Sequence, residues 1–425
     1  MISATLNEIC TVITDGAHAS PKSVDVGYPM GSVKDMTSSG MNYESCRRIS
    51  FEDFKKLEHL NCSPQVGDIL FSKDGAKAAE TVCLHTNEEP LVLLSSVAIL
   101  RPDLSKVVPK FLELYLRNPK TIKMIRKGFL TGAAIPRIVC ADIKRIRVDI
   151  PPLAEQNIVV NRLEIFDNLI ENNQRRIEIL EEMARLLYQE WFVHFRFPGH
   201  ENVKMVDSEL GPIPEGWEVK KLADIATTQY GYTESANQEM VGPRYLRGKD
   251  INKKSFINWS DVPFCPISDQ ELAKFRVKVG DIFVIRMADP GKVGICEVEV
   301  DAVFASYLVR IRPATKDLLP YYLFYVLSDK SYFSWVAGAS TGSTRKSVSA
   351  KVMCEYSLAV PPERVQTKFV ERVLPLRKLL NNLIKQNNVL REARDLLLPR
   401  LISGQLDVSE LNLSETDVSS ATISV

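Results

Sequence analysis

The sequence predicts a mixed α/β fold of the α+β kind. Two duplicated globular domains are expected to be separated by two long helices that form an antiparallel coiled coil with pseudo-twofold symmetry. Three observations support this prediction. The 425-residue chain repeats its motifs at an offset of about 210 residues, each half begins with short β-type runs, and each half ends in a long heptad pattern.

The internal repeat extends through both halves of the chain. The segment Val-Gly-Asp-Ile at 66–69 recurs at 279–282, and a Pro-Pro-x-x-x-Gln motif that ends at Gln156 recurs with its end at Gln366. A chain of this length has room for two or three domains. A repeat this long indicates duplicated domains rather than a solenoid of short repeats.

Each half opens with about 150 residues of short β-type runs, such as LVLLSSVAIL at 91–100, which Gly, Pro and Asp turns separate. Helical stretches are predicted within them at 109–127 and 319–335. A Pro-Pro pair then ends each sheet pattern and opens a long helix. The predicted divisions are a first globular domain at 1–150, a helix at 151–199, a second globular domain at 200–360, a helix at 361–405 and a disordered tail at 406–425.

Both long helices carry an apolar seam with heptad spacing, which is typical of a helix that packs against a partner helix. The heptad phase is the same in both because 210 is a multiple of seven. Each seam contains a central asparagine, a polar core residue that fixes register at a cost in stability. Packing of each helix on its own domain is the alternative. The predicted interface residues are Leu163, Phe166, Ile170, Asn173, Ile177, Leu180, Leu187, Val373, Leu376, Leu380, Leu383, Asn387, Leu390 and Leu397.

The composition favours a soluble protein of the cytoplasm. The eight cysteines include no CxxC pair, so we expect reduced thiols and predict no metal site. No apolar run approaches the roughly 20 residues that span a bilayer, and the first residues do not resemble a secretory leader. The 54 basic and 53 acidic side chains give a net charge of +1, which by itself does not indicate a nucleic-acid-binding protein.

Motifs for catalysis on nucleic acid are missing from the sequence. The segment Gly75-Ala76-Lys77 lacks the spacing and the hydroxyl residue of a phosphate-binding P-loop. An adenine methyltransferase needs Asn or Asp directly before Pro-Pro and an aromatic residue, whereas Leu153 and Glu363 follow the two Pro-Pro pairs. We therefore predict no catalytic residues and no enzymatic activity for this chain alone.

Four features of the sequence occur together. One is the pair of Pro-Pro-x-x-x-Gln helix openings, and the others are the segments 191–201, 210–217 (LGPIPEGW) and 397–404 (LLPRLISG). In these features the chain resembles the specificity subunits of Type I restriction-modification systems. The resemblance in organisation covers residues 1 to about 406. The globular domains resemble the family only as a framework, as expected if they encode different targets.

This resemblance implies that the globular domains are target-recognition domains, each of which reads one half of a split, asymmetric site in double-stranded DNA. It also implies that two methyltransferase subunits and two ATP-driven restriction subunits assemble on the chain, in a system of defence against foreign DNA. S-adenosylmethionine, ATP and Mg would then be cofactors of those partners, and this chain would hold none.

Candidate DNA contacts are basic residues in loops of the two repeats, because Arg and Lys reach phosphates and guanine edges from such positions. For each of them, an ordinary surface charge is the alternative interpretation. The predicted contacts are Lys73, Lys77 and Arg137 in the first repeat and Arg286, Lys292, Arg345 and Lys346 in the second.

A duplicated coiled-coil scaffold that binds only other proteins is the alternative function, and the near-neutral net charge favours it. Binding to duplex DNA that weakens steeply with added salt distinguishes the two, because only a surface that neutralises phosphates releases counterions. A stand-alone enzyme with an unrecognised site is a third hypothesis.

Overall fold

The computed structural model describes residues 1–37, 40–132, 136–252, 254–340 and 346–406. The chain forms two compact units. The first contains Met1–Leu169 together with the chain from Leu390 onward, and the second contains Ile170–Val389. Both units combine strands and helices, which confirms the predicted α+β class. Apart from Leu406, the predicted tail at 406–425 lies outside the described residues.

The first unit opens with a short strand and helix and ends at the first long helix. Its strands are β1 (Ile2–Thr5), β2 (Cys10–Asp15), β3 (Tyr28–Gly31), β4 (Met36–Thr37), β5 (Gly40–Met41), β6 (Arg47–Ile49), β7 (Ile69–Ser72), β8 (Val82–Leu84), β9 (Val92–Leu93), β10 (Val97–Pro102) and β11 (Arg147–Ile150). Its helices are α1 (Leu6–Ile9), α2 (Phe51–His59), α3 (Pro109–Arg117), α4 (Pro119–Phe129), α5 (Cys140–Arg145) and the start of α6 (Leu153–Tyr188), which continues into the second unit.

The second unit repeats this order after a π-helical turn (Gln189–Val193) and a 3₁₀ turn (His200–Asn202). Its strands are β12 (Met205–Val206), β13 (Ile213–Pro214), β14 (Glu218–Lys221), β15 (Ala226–Tyr230), β16 (Arg244–Leu246), β17 (Ile282–Ile285), β18 (Val293–Ile295), β19 (Ala302–Phe304), β20 (Leu308–Pro313) and β21 (Ser357–Val360). Its helices are α7 (Leu222–Ile225), α8 (Gly248–Ile251), a 3₁₀ turn (Trp259–Asp261), α9 (Asp269–Phe275), α10 (Pro320–Ser328), α11 (Lys330–Ala339), α12 (Ala350–Met353) and α13 (Glu363–Ile402), whose end belongs to the first unit.

Both units contain the same four-stranded antiparallel sheet, in the order β2-β10-β7-β8 in the first and β15-β20-β17-β18 in the second. In each unit a short strand before the sheet pairs with the strand that precedes the long helix, β1 with β11 and β14 with β21. A short parallel pair also recurs, as β3 with β9 and β16 with β19. The sequence repeat is therefore a structural repeat.

The repeated Val-Gly-Asp motif places a buried carboxylate directly before an inner strand of each sheet, β7 or β17. Asp68 accepts two hydrogen bonds from the Arg101 guanidinium, at 2.9 and 2.8 Å. Asp281 pairs in the same way with Arg312, whose Nη2 lies 2.8 Å from Oδ2. The motif's glycine, Gly67, has a φ of +94°, a conformation that favours glycine at the turn before the strand. The repeated arginine and aspartate are thus structural partners.

The glutamine of each Pro-Pro-x-x-x-Gln motif joins the long helix to the globular part of its unit. Gln156 is fully buried; its Oε1 accepts from the backbone N of Val108 at 2.8 Å, and its Nε2 donates to the carbonyl of Lys106 at 3.1 Å. Gln366 makes the equivalent bonds to the N of Leu319 and the carbonyl of Asp317, at 2.9 and 3.0 Å. These bonds satisfy backbone groups just before α3 and α10, which explains why the motif occurs twice.

The helical stretches predicted at 109–127 and 319–335 are each two helices rather than one. Asn118 ends α3, and its side chain accepts from the backbone N of Lys120 to cap α4 at 2.9 Å. Asp329 caps α11 in the same manner through the N of Ser331, also at 2.9 Å. Asn and Asp at these positions favour a new N-terminus over continuation of the helix.

The two long helices contact one another along the central part of the predicted seam. In the second unit Asn173 of α6 meets Asn387 of α13, while Tyr188 further along α6 meets Phe369 near the start of α13, with ring centroids 6.4 Å apart. The helices therefore run antiparallel there. Ile177 and Leu180 pack in one apolar cluster with residues of α13.

The predicted interface residues fall into two groups by exposure. Towards the ends of the helices the seam joins the cores of the globular parts, because Leu163 packs in the first core and Val373 in the second. Along one seam, therefore, the two helices pack against each other in the central part and against the globular parts towards the ends. The buried residues are Leu163, Asn173, Ile177, Leu180, Val373, Leu380, Leu383 and Asn387, and the partly buried ones are Phe166, Ile170, Leu187, Leu376, Leu390 and Leu397.

A buried ion pair fixes the globular part of the second unit to α13. Arg377 is only 1% exposed and makes a two-pronged contact with Glu297, at 2.7 and 2.6 Å, while it also donates to the side chain and carbonyl of Ser255. Burial alone would lower the pKa of Arg377, but the hydrogen bonds and charge of Glu297 outweigh burial and raise it. Asp167 occupies the position 210 residues earlier and pairs instead with Arg394 at 2.7 Å, so the ion pair is not repeated.

The asparagine pair in the seam leads to a stability prediction. Asn173 donates to Asn387 at 3.0 Å, and Asn387 donates to the carbonyl of Ile170 at 3.3 Å. Asn387→Ala should lower the free energy of unfolding by about 1–3 kcal/mol, because it leaves the buried Asn173 carboxamide without its acceptor. Replacing both by leucine should recover that loss or exceed the wild type, because an apolar pair has no unsatisfied group.

Unfolding in urea, followed by circular dichroism, measures these differences. The matched control is Asn172→Ala, at an exposed position of the same helix, where a change within about 0.5 kcal/mol is expected. A leucine pair that is no more stable than Asn387→Ala would contradict the role assigned to the two carboxamides.

Candidate nucleic-acid interface

Two loops of the first unit are tied together by backbone hydrogen bonds. The loop at 73–79 follows β7, and the segment at 130–139 connects α4 to α5. The N of Gly75 donates to the carbonyl of Pro136 at 2.9 Å, and the N of Ile138 donates to the carbonyl of Lys73 at 3.0 Å. Two stretches about 60 residues apart in sequence thereby become one surface element.

The second unit has the same pair of loops, at 286–292 after β17 and at 340–349 between α11 and α12. The N of Ala288 donates to the carbonyl of Lys346 at 3.0 Å, and the N of Val348 donates to the carbonyl of Arg286, also at 3.0 Å. We call these two structures the loop pairs of the first and second unit. They contain all the DNA contacts predicted from sequence.

In the first loop pair, acidic residues hold two of the three predicted cations. The ammonium of Lys73 is buried in an ion pair with Asp15 of β2, with 8% of its side chain exposed. Arg137 is 58% exposed and donates from Nε to Asp74 at 2.7 Å. Lys77 is exposed at the tip of the loop. The structure therefore brings Lys73 and Arg137 together, but it leaves Lys73 no surface from which to contact DNA.

In the second loop pair, aromatic rings hold two of the predicted cations. The Arg286 guanidinium lies over the ring of Tyr230, 4.8 Å from its centroid, and the Lys292 ammonium lies 4.5 Å from the centroid of Phe333. A ring orients a cation without neutralising its charge. Lys346 is exposed, and Arg345 lies outside the described residues.

A cleft of 620 Å³ borders the second loop pair and contains side chains that the sequence did not single out. Tyr307 is 56% exposed there, and Arg247 pairs with Asp250 at 2.8 Å across the start of α8. Burial raises the pKa of Tyr245, which stays a neutral hydroxyl that donates to a backbone carbonyl at 2.8 Å. In the first repeat Ser32 stands at the position that matches Arg247, before the same x-Lys-Asp segment, so comparison of the repeats assigns no shared role there. The cleft is lined by Glu234, Ala236, Tyr245, Arg247, Gly248, Lys249, Asn252, Ile285, Met287, Ala288, Asp289, Ala305 and Tyr307.

The described residues form neither a metal-binding cluster nor a membrane-spanning helix. No cluster of three or more His, Cys, Asp or Glu side chains among them is arranged to hold a metal ion. None of the helices in the described ranges has the length and apolar character that crossing a membrane requires.

Comparison with known proteins identifies the repeats. A family model described as the Type I restriction modification DNA specificity domain matches the chain twice, at residues 3–182 and 214–391. The MjaIX specificity subunit of Methanocaldococcus jannaschii, a Type I restriction enzyme subunit, is 29% identical over 324 residues, or 72% of this chain and 71% of that protein. The HindI specificity subunit of Haemophilus influenzae is 21% identical over 403 residues, or 80% of this chain and 86% of that protein.

A solved structure has the same fold. The crystal structure of the S subunit of a Type I restriction-modification system from M. genitalium superposes with a TM-score of 0.54 at 16% identity, and the match covers 94% of this chain and 95% of that one. Two copies of one domain, each followed by a long helix, define the class of duplicated specificity proteins. The chain belongs to the family of DNA specificity subunits of Type I restriction-modification systems.

The Lys73 and Asp15 ion pair leads to a prediction that separates a structural cation from a surface cation. Lys73→Met should lower the free energy of unfolding by about 1–3 kcal/mol, because the Asp15 carboxylate loses its lysine partner at a site where only 18% of its side chain is exposed. Lys77→Met in the same loop is the matched control, with an expected change within about 0.5 kcal/mol. Thermal unfolding of the two variants side by side measures the difference, and equal stability would contradict the structural role of Lys73.

Proposed function

We propose that this chain gives a Type I restriction-modification complex its DNA sequence specificity, with each unit binding one half of a split, asymmetric duplex site. The observation that supports this most directly is that one backbone framework carries different side chains in its two copies. Asp74 faces Arg137 in the first loop pair, whereas Met287 faces Ser347 at the equivalent positions of the second. Equivalent frameworks with different side chains suit two different half-sites.

The loop pairs also carry the positive charges that contact with DNA phosphates requires. Lys77 in the first and Lys346 in the second are exposed, and Arg286 and Lys292 lie against aromatic rings with no carboxylate partner among the described residues. Exposed cations bind phosphates at low specificity, while fixed arginines and polar groups discriminate between base edges. This arrangement favours DNA binding over the alternative of a scaffold that binds only protein, because such a scaffold has no use for cations clustered in equivalent loops.

Partner subunits are part of the proposal, and the outer faces of the long helices support it. Ile179, Met183 and Leu186 of α6 are 59, 48 and 47% exposed and follow one another at helical spacing. Val389 and Leu396 of α13, each 210 residues after a member of this row, are 64 and 71% exposed. Exposed apolar rows mark protein interfaces, and a row that occurs on both helices suits two copies of the same partner. The partners we propose are two methyltransferase subunits, with two restriction subunits joining them.

Catalysis belongs to those partners in this proposal, and this chain acts without chemistry of its own. S-adenosylmethionine, ATP and Mg would bind to the methyltransferase and restriction subunits. With this division, identical catalytic subunits can act on either side of an asymmetric sequence once a separate chain has read it.

Exchange of one domain tests the proposal. In a chimera, another family member's first domain replaces residues 1–150, which end just before the Pro-Pro motif. Gln156 is retained, and the donor domain supplies the backbone groups that stand for those of Lys106 and Val108. The full-length chimera and the wild type, each with the subunits that accompany it, are used to select from a randomised duplex library. We expect exactly one of the two selected half-sites to change, because each unit has its own core and its own loop pair.

Selection by the wild type is the internal control for this experiment. A wild-type protein that selects no sequence would contradict the proposed function, and a chimera in which both half-sites change would contradict independent reading by the two units. Thermal unfolding of the chimera near that of the wild type confirms that the exchanged domain has folded.

A further inference from the structure

The registers of the two sheets place two different pairs of side chains at one equivalent position. In the first unit β10 pairs Val97 with Ser72 and Ala98 with Asp15. In the second unit β20 pairs Leu308 with Ile285 and Val309 with Tyr230. In each unit the strand paired with β10 or β20 is followed by a cation: Lys73 follows β7 in the first unit, and Arg286 follows β17 in the second. Asp15 and Tyr230 are therefore equivalent, and each is the side chain against which the cation rests.

The two pairs differ in whether the cation is still able to bind a ligand. The carboxylate of Asp15 neutralises Lys73 and the pair is largely buried. In the second unit the Tyr230 ring orients Arg286 but accepts no hydrogen bond from it. Within the described ranges the Arg286 guanidinium has neither a hydrogen-bond acceptor nor a carboxylate partner, and its buried Nε is unsatisfied. A partly buried guanidinium without an acceptor is costly unless a bound molecule supplies one.

Both members of the second pair are held in place. The backbone N of Arg286 donates to the carbonyl of Tyr307 at 3.0 Å, and its carbonyl accepts from Val348 in the partner loop. The hydroxyl of Tyr230 accepts from the backbone N of Ala350 at 2.9 Å. With its stem and its ring partner fixed, the guanidinium loses little entropy when it binds, which favours a directional contact over a general attraction to phosphate.

We propose that Arg286, held over the ring of Tyr230, is a specificity-determining residue of the second unit that reads a guanine through its major-groove edge. The O6 and N7 atoms of guanine accept two parallel hydrogen bonds from a guanidinium, and this pairing distinguishes guanine from the other bases. The equivalent Lys73 reads no base, because Asp15 occupies its ammonium. This inference rests on the proposed function and adds to it the chemical group that one named side chain recognises.

The test compares four full-length proteins, each with its accompanying subunits, by selection from the randomised duplex library. Arg286→Lys keeps the charge and loses the bidentate fork. We expect it to lose about tenfold or more of its preference at one G·C pair, in the half-site that the domain exchange assigns to the second unit. The slope of binding against salt concentration should stay unchanged, because the number of cations is unchanged. Tyr230→Leu should weaken the preference at that same pair, and Lys73→Met should select the wild-type sequence in both halves.

Other results would contradict either the proposed function or the role of Arg286. If the wild type selects no sequence, the proposed function fails. If the wild type selects a site and Arg286→Lys keeps every preference, or loses one at a pair other than G·C, the role of Arg286 is wrong while the proposed function stands. An Arg286→Lys protein that unfolds at a markedly lower temperature would identify Arg286 as a stabilising residue of the loop pair, which also overturns the inference.

Discussion

The backbone hydrogen bonds that join the two loops in each unit are the constraint on which the account of recognition depends. They run between the N of Gly75 and the carbonyl of Pro136 in the first unit, and between the N of Ala288 and the carbonyl of Lys346 in the second. Because main-chain groups make them, they place no requirement on the side chains of either loop. The loop surface can therefore change its chemistry while its shape is kept, as the proposed reading of two different half-sites requires.

Below the loops, side chains that recur in both repeats hold the framework. Asp68 and Asp281 each bind an arginine of the neighbouring strand, and Gln156 and Gln366 each satisfy backbone groups ahead of a helix. A buried polar group that loses its partner costs about 1–3 kcal/mol. Changes at these four positions are therefore costly in stability, whereas changes at exposed loop positions such as Lys77 are not. The four residues thus recur because the framework of each unit needs them.

Much of the architecture followed from the sequence because it depends on local patterns. The offset of 210 residues predicted the duplication, and heptad spacing predicted two long helices whose seams include the Asn173 and Asn387 pair. The helical stretches at 109–127 and 319–335 are predicted as single elements, and the structure divides each of them in two. The first break has a signal in the sequence, because Pro119 disfavours a helical conformation at Asn118. The second depends on the cap that the Asp329 side chain forms.

The environment of the candidate DNA contacts could not be predicted, because it depends on strand register. Lys73 and Lys77 look alike in sequence, yet Lys73 is buried against Asp15, 58 residues away. The same register places Tyr230 beneath Arg286. Likewise, Glu297 lies 80 residues from Arg377, and no sequence spacing indicates that the two form a buried pair. Long-range pairings of this kind determine which cation is structural and which is available to a ligand.

Amide hydrogen exchange tests most directly whether the loop pairs are the DNA-binding surface. Exchange would be measured by mass spectrometry on the full-length protein with its accompanying subunits, with and without a duplex that carries its selected site. If the loop pairs bind DNA, exchange slows at 73–79 and 136–138 in the first unit and at 286–292 and 346–348 in the second. No slowing is expected at the framework strands, which are already protected. Unchanged exchange in both loop pairs, with protection elsewhere, would contradict it.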